Sequence, residues 1–305
     1  MKQFDGAATA RALAFPALIA ALERMFLAGC DVPARHVHAV GESLTALLMP
    51  AWLAGRYFGV KIVNVARGNA AIGLPGLFAT YQLFDANTGE PLALIDGGEL
   101  TARRTAAASA LAASRLARPD ARRQLIVGAG RVGGLLAAAY RAVRSIDDVM
   151  VWSRDERSAL RLVVRLAAEG VPARVVTDLA AAAATADIVS CATLTAEPLI
   201  HGEWLAPGTH LDLIGGFTPA MREADDACFA GAQVWIDTAE ALAKAGDLLH
   251  PIASGVLRPE DVRGTLAELC AAPATARDRS RRTVFKSVGT ALEDLAAAIL
   301  VYESA

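Results

Sequence analysis

Two rhythms of apolar and polar residues run along this chain. From Arg123 onward, short apolar runs alternate with stretches whose apolar positions recur every three to four residues. "QLIVGAG" leads into the helical "RVGGLLAAAYRAV", "DVMVW" into "RSALRLVVRLAAEG", and "ARVV" into "LAAAAATA"; "DIVSCAT", "THLDLIG" and "AQVWID" follow in the same style. Strand and helix alternating at roughly 20 to 30 residues per repeat predict a parallel, doubly wound α/β sheet. The first hundred residues differ. "VKIVNVARG" (60–68) and "ATYQLFD" (79–85) read as strands, and "ANTGEP" turns the second into "LALIDGGE", as in an antiparallel sheet. An amphipathic helix is expected over Phe15–Ala28, entered through Pro16. Another is expected from Thr101 as its cap to a stop at Pro119, and a last helical stretch over 283–304. The pattern predicts an α+β domain from residues 1–118 plus about 286–305, and a Rossmann-type domain over 119–285.

Composition narrows the class. The 305 residues are 54% hydrophobic and 20% charged with a net charge of −2, which describes a globular chain without the basic footprint of a nucleic-acid or anionic-membrane binder. Cys30, Cys191, Cys228 and Cys270 are too far apart for a zinc knuckle or a disulfide framework, and a reducing cytoplasm is the expected home. "LAGC" at 27–30 imitates a lipoprotein cleavage box, but Glu23 and Arg24 interrupt the segment before it. No run reaches the ~18 to 20 uncharged apolar residues of a membrane span.

"GAGRVG" sets Gly128, Gly130 and Gly133 at G-x-G-x-x-G spacing between a strand and a helix, with Arg131 and Val132 between them. In that context the first glycine makes the tight turn, the second admits a pyrophosphate, and the third lets helix pack on strand. The next strand ends in Trp152, Ser153 and Arg154, with Arg157 a turn later, rather than in the carboxylate that bonds a ribose 2′-hydroxyl. A hydroxyl and guanidinium groups suit a 2′-phosphate, so NADP(H) is the favoured cofactor and NAD(H) the other.

Catalytic hardware is sparse. There is no G-x-S-x-G elbow and no metal-spaced histidine pair; His36 and His38 alternate on a short β-like segment, and His201, His210 and His250 are isolated. Cations stand out instead. Lys61 begins a buried-looking strand, Arg35 precedes a short strand, and Arg104 and Thr105 fall in the first turn of the helix capped by Thr101, where backbone N–H groups attract anions. Together they are expected to hold a carboxylate near a nicotinamide.

The runs "GVKIVN", "GLPGLFATYQLFDANTGEPLALIDGGELTARRTAAASALA", "LIVGAGRVG", "ADIVSCAT", "GEWLAPGTHLDLIGGFTPAMREADD" and "VFKSVGTALEDLA" resemble, in this order, the ornithine cyclodeaminase/mu-crystallin family. The resemblance implies a homodimer, with a substrate-binding and dimerisation domain beside a cofactor-binding Rossmann domain. It implies that Lys61, Arg104 and Arg35 bind the carboxylate of a small imino or amino acid. Thr105, the glycine loop and Thr193 would face the dinucleotide, and Val288 and Gly289 would bind substrate at the nicotinamide end of the cleft. The family includes cyclodeaminases, imine reductases, amino-acid dehydrogenases and a hormone-binding crystallin. Cyclodeaminases of this family carry an acid/base aspartate directly after two glycines; here Phe217 follows Gly215 and Gly216, and Met221 replaces the lysine of that block. The last two blocks look most like the branch that reduces Δ1-pyrroline-2-carboxylate and Δ1-piperideine-2-carboxylate, in which Phe217 would shape a dry ring pocket.

Overall fold

Period-two alternation organises the first part of the chain. A computed structural model describes residues 1–66, 68–273 and 280–305. Strand β1 (Lys2–Phe4) precedes α1 (Gly6–Ala12), whose start is capped by the Asp5 carboxylate accepting from Ala8 N at 2.7 Å. Helix α2 spans Phe15–Ala28 with Pro16 in its first turn and buries Leu18, Leu22 and Met25 on one face. Strands β2 (His36–Ala39), β3 (Leu44–Leu53), β4 (Tyr57–Ala66), β5 (Leu77–Asp85) and β6 (Pro91–Asp96) follow. They form a sheet in the order β1-β6-β5-β4-β3-β2 among the described residues, antiparallel throughout except for β1 on β6. Arg67, within the run expected as a strand, lies outside the described residues. Along β4, Gly59, Lys61 and Val63 are buried, while Phe58, Val60 and Ile62 point to the other face. Lys61 therefore sits in the middle of its strand, not at its start.

Helix α3 covers Gly97–Leu116 and starts five residues earlier than a cap at Thr101 predicts. Asp96, not Thr101, caps it by accepting from Glu99 N at 2.7 Å. Arg104 and Thr105 thus lie beyond the first turn, where backbone N–H groups already have helical partners. The anion attraction expected from a helix N-terminus does not operate there.

The second rhythm gives a Rossmann-type α/β sheet. Its parallel strands are β7 (Arg123–Val127), β8 (Asp148–Trp152), β9 (Ala173–Val175), β10 (Ile188–Cys191), β11 (His210–Leu213), β12 (Gln233–Ile236) and β13 (Thr283–Lys286). The helices are α4 (Gly133–Arg141), α5 (Glu156–Ala168), α6 (Leu179–Thr185), α7 (Ala241–Lys244), α8 (Gly246–Ala253) and α9 (Leu266–Ala271). Strand order is β12-β13-β11-β10-β7-β8-β9, so the chain reverses direction of growth between β7 and β10. Such a switch point leaves a crevice at the carboxyl ends of the strands.

The closing segment departs from the sequence expectation. Thr283–Lys286 is a fully buried strand between β11 and β12, and only Ala291–Glu303 is helical, as α10. Four residues cannot be told from a helix start by periodicity, but two flanking strands can pair them. Helix α10 packs on α2 and on β3–β6. The chain divides into two units, Met1–Thr105 with Thr290–Ala305 and Ala106–Gly289. The first boundary falls inside α3 rather than after it, and the second falls at Gly289/Thr290 rather than at 285/286. Among the described residues no helix is long and apolar enough to cross a membrane.

Candidate active site

In the first unit, Lys61 and Arg104 are brought together by carboxylates from α10. Lys61 is 1% exposed and Arg104 6%. The Lys61 ammonium lies 2.6 Å from Asp294 Oδ2, Arg104 Nε donates to Asp294 Oδ1 at 2.9 Å, and Arg104 Nη1 donates to Glu293 Oε2 at 2.6 Å. Two cations thus face two buried anions, which is how charges survive inside a protein. Burial pulls the Lys61 ammonium down to about 8; Asp294 opposes this and the neighbouring Arg104 charge adds to it. Burial pushes the Asp294 carboxyl upward, yet Lys61 and Arg104 hold it below its ordinary range. The asymmetry is physical, because Asp294 has two cationic partners whereas Lys61 has one close anion and a repelling guanidinium. For Arg104 the penalty of burial is outweighed by Asp294 and Glu293, which hold it above its ordinary value. Arg104 Nη2 remains for a further acceptor, with no protein partner among the described residues.

Arg35, half-buried, lies directly before β2, and Thr105 is half-buried at the end of the first unit. Sequence reasoning missed Glu293 and Asp294. The available signal was a pair of acids set in an otherwise apolar helix, "ALEDLAAAIL", where a solvated face has too few polar positions to account for them.

In the second unit the glycine loop sits between β7 and α4. Gly128 has φ +109°, and a β-carbon there would come within 2.6 Å of the Ala192 carbonyl oxygen. One at Gly133 would overlap the Gly128 carbonyl, whereas one at Gly130 would project into open space. These are the tight turn, the close helix packing and the open approach that a pyrophosphate requires, and no side chain caps the α4 N-terminus. The residues present fit a dinucleotide. Beside the loop, a cleft of about 400 Å³ is lined by Gly130, Arg131, Ser158, Arg161 and Arg165 among others. Ser153 is half-buried at the end of β8, and Arg154 and Arg157 are exposed beyond it. Asp155 turns its carboxylate onto α5, accepting from Arg157 N at 3.2 Å and Ser158 Oγ at 2.6 Å.

At the carboxyl edge of the same sheet, Thr193, Phe217, Val288 and Gly289 follow β10, β11 and β13. Phe217 is 44% exposed. Val288 N and Gly289 N both donate to Asp237 Oδ2, at 2.7 and 2.6 Å. Thr193 donates through its N–H and its hydroxyl to the buried Glu223 carboxylate. Asp237 and Glu223 carry no recognisable sequence signal, since each is one acid among several in a loop.

Residues 7–305 match the ornithine cyclodeaminase/mu-crystallin family. The chain belongs to this family. Its relatives include a Δ1-pyrroline-2-carboxylate reductase of Paracoccus denitrificans, 44% identical over 254 residues, which cover 82% of this chain and 80% of the relative. The structure of Thermococcus litoralis Δ1-pyrroline-2-carboxylate reductase in complex with NADH and L-proline is similar with a TM-score of 0.93 at 30% identity, covering 99% of this chain and 97% of that one. An archaeal alanine dehydrogenase dimer with bound NAD gives a TM-score of 0.91 at 28% identity, covering 99% and 95%. Within the ornithine cyclodeaminase/mu-crystallin family the residue after the two glycines here is Phe217, whose side chain has no proton to exchange.

Proposed function

We propose that this protein is a nicotinamide-dependent reductase of a cyclic imino acid, converting Δ1-pyrroline-2-carboxylate to L-proline, with Δ1-piperideine-2-carboxylate to L-pipecolate as the six-membered case. The carrying observation is the buried Lys61–Arg104 pair, in a chain with a dinucleotide-type glycine loop and relatives named for this reaction. Arg104 Nη2 and the Lys61 ammonium take the substrate carboxylate, with Arg35 as a third cation. Lys61, easily deprotonated at about 8, also suits proton donation to the imine nitrogen. Gly128, Gly130, Arg131, Val132 and Gly133 hold the pyrophosphate, Thr105 and Thr193 line the rest of the cofactor, and Val288 and Gly289 bind substrate at the nicotinamide end. The bound nicotinamide supplies the hydride that the protein itself lacks. Phe217 covers apolar ring surface and provides no base for deaminating a free diamino acid.

NADP(H) is favoured over NAD(H). Ser153 offers a hydroxyl, and Arg154, Arg157 and the arginine-lined cleft offer cations, to a 2′-phosphate, while Asp155 is occupied as the cap of α5. A second copy of the chain is the partner proposed for the outer face of the first sheet, where Trp52, Phe58, Ile62, Phe78 and Phe84 leave apolar area half-buried or exposed.

The test is a substrate panel with both nicotinamides. Loss of reduced-nicotinamide absorbance and formation of L-proline on adding Δ1-pyrroline-2-carboxylate are expected. Conversion of ornithine to proline and ammonia without net cofactor change, or binding of small aromatic acids with no imine turned over, would overturn the reading.

A further inference from the structure

Three buried charges converge behind the carboxyl edge of the parallel sheet, and none belongs to the residues assigned above. Glu223, Asp247 and Lys286 are each fully buried. Glu223 Oε1 accepts from Thr193 N and Thr193 Oγ1, both at 2.7 Å, and Oε2 accepts from Gly215 N at 2.7 Å. Asp247, on α8, accepts from Glu223 N at 2.7 Å and Ala224 N at 3.2 Å through Oδ1. Its Oδ2 accepts from the Lys286 ammonium at 3.0 Å. One carboxylate therefore ties the loop after β10 to the loop after β11, and an ion pair from α8 and β13 holds that carboxylate in place.

The two glycines before Phe217 are explained by this packing. A β-carbon at Gly215 would overlap the Thr193 carbonyl and lie 2.7 Å from Glu223 Oε1. One at Gly216 would overlap Asp247 Oδ2 and lie 3.3 Å from Lys286 Nζ. Burying a charged group costs free energy that a well-packed apolar replacement would avoid, so such a cluster contributes geometry more than stability. The geometry it defines is the position of Thr193 and of the turn that carries Phe217.

We propose that Glu223, seated by Asp247 and Lys286, is a positioning residue that fixes Thr193 and the Gly215–Gly216 backbone, and thereby sets how tightly the nicotinamide end of the cofactor is held. The inference rests on the reading of this edge as the cofactor side. Glutamine at 223 keeps the shape but offers one carbonyl oxygen and turns an NH₂ group toward a donor, either Thr193 or Gly215. Three donors then compete for less acceptor capacity, and the loops loosen.

The experiment compares wild type, Glu223→Gln, Glu223→Asp and Thr193→Val, the last removing one donor and leaving the carboxylate in place. Cofactor affinity is read by calorimetry, loop order by amide exchange at Thr193 and Gly215, and KM separately for cofactor and imino acid. Glu223→Gln is expected to weaken cofactor binding by about tenfold or more and to speed exchange at both amides, with the imino-acid KM within about twofold at saturating cofactor. Thr193→Val should show a smaller loss in the same direction, and it decides the matter if Glu223→Gln does not fold. Unchanged cofactor affinity, or cofactor and imino-acid KM rising together, would overturn the proposal. If wild type binds nicotinamide but reduces no imino acid, the functional reading falls while the binding comparison still decides the role of Glu223. If wild type binds no nicotinamide, both fall.

Discussion

Replacing Asp294 with asparagine isolates the charge that sets the protonation of Lys61. The substitution keeps volume and leaves an oxygen for Arg104 Nε, and the bond from Arg104 Nη1 to Glu293 at 2.6 Å survives. Lys61 loses its 2.6 Å partner. A stranded buried charge costs about 3 to 5 kcal/mol, but lysine can escape by releasing its proton. Lowering its value from 10.5 to about 8 already costs about 3 kcal/mol at pH 7, and full deprotonation adds only about 1 to 2 kcal/mol more. The sign follows from proton counting. Between pH 8 and 10.5 the unfolded chain keeps a proton that folded Lys61 has released, so stability rises with pH across that window and the burden is fully present below it. In Asp294→Asn the window's lower edge moves below pH 7. Two assays read this: unfolding midpoints between about pH 6 and 9, and the pH profile of kcat/KM for the imino acid. Wild-type kcat/KM should fall above about pH 8, and the variant's falling limb should move down by at least about one unit. A limb that stays near 8, or a pH-independent loss of about 3 to 5 kcal/mol, would refute the reasoning.

Arg104→Ala should raise the imino-acid KM by about 100-fold and leave Glu293 and Asp294 short of a partner, costing about 3 kcal/mol of stability; Arg104→Lys should recover part of the stability in denaturant titrations but little of the KM. Phe217→Asp places a carboxylate at an exposed position, so stability should change by less than about 1 kcal/mol while imine reduction falls, with no ornithine cyclodeaminase activity gained in an ammonia assay. Arg161→Ala, at the cleft beside the glycine loop, should raise the KM for NADPH by about tenfold and that for NADH by less than about twofold, read as a ratio of initial rates.

Local pattern carried much of this protein. Strand–helix alternation after Arg123 and the G-x-G-x-x-G spacing are short-range properties, and each emerges where periodicity placed it: β7, the glycine loop, then α4. Helix α2 was legible to its ends, because Pro16 marks one terminus and the apolar face is continuous. Lys61 and Arg104 were legible as unusual cations in their segments, and Phe217 as a departure from a motif.

What the sequence could not decide is wherever distant segments supply the missing half of an interaction. Thr283–Lys286 is a strand because β11 and β12 flank it, although its four residues continue smoothly into a helical pattern. Glu293 and Asp294 stand out as acids in an apolar helix, but what buries them is Lys61 on β4 and Arg104, 190 residues from Asp294, which no local pattern links to them. Gly215 and Gly216 read as a strand end, but it is the Thr193 carbonyl, backed by the Glu223 carboxylate, and the Asp247 carboxylate that leave no room for side chains there. Sequence alone determined the elements whose driving force is the burial of their own apolar stripe. Tertiary structure alone decided which charges could be buried, since a charge enters the interior only beside a partner that local pattern does not reveal.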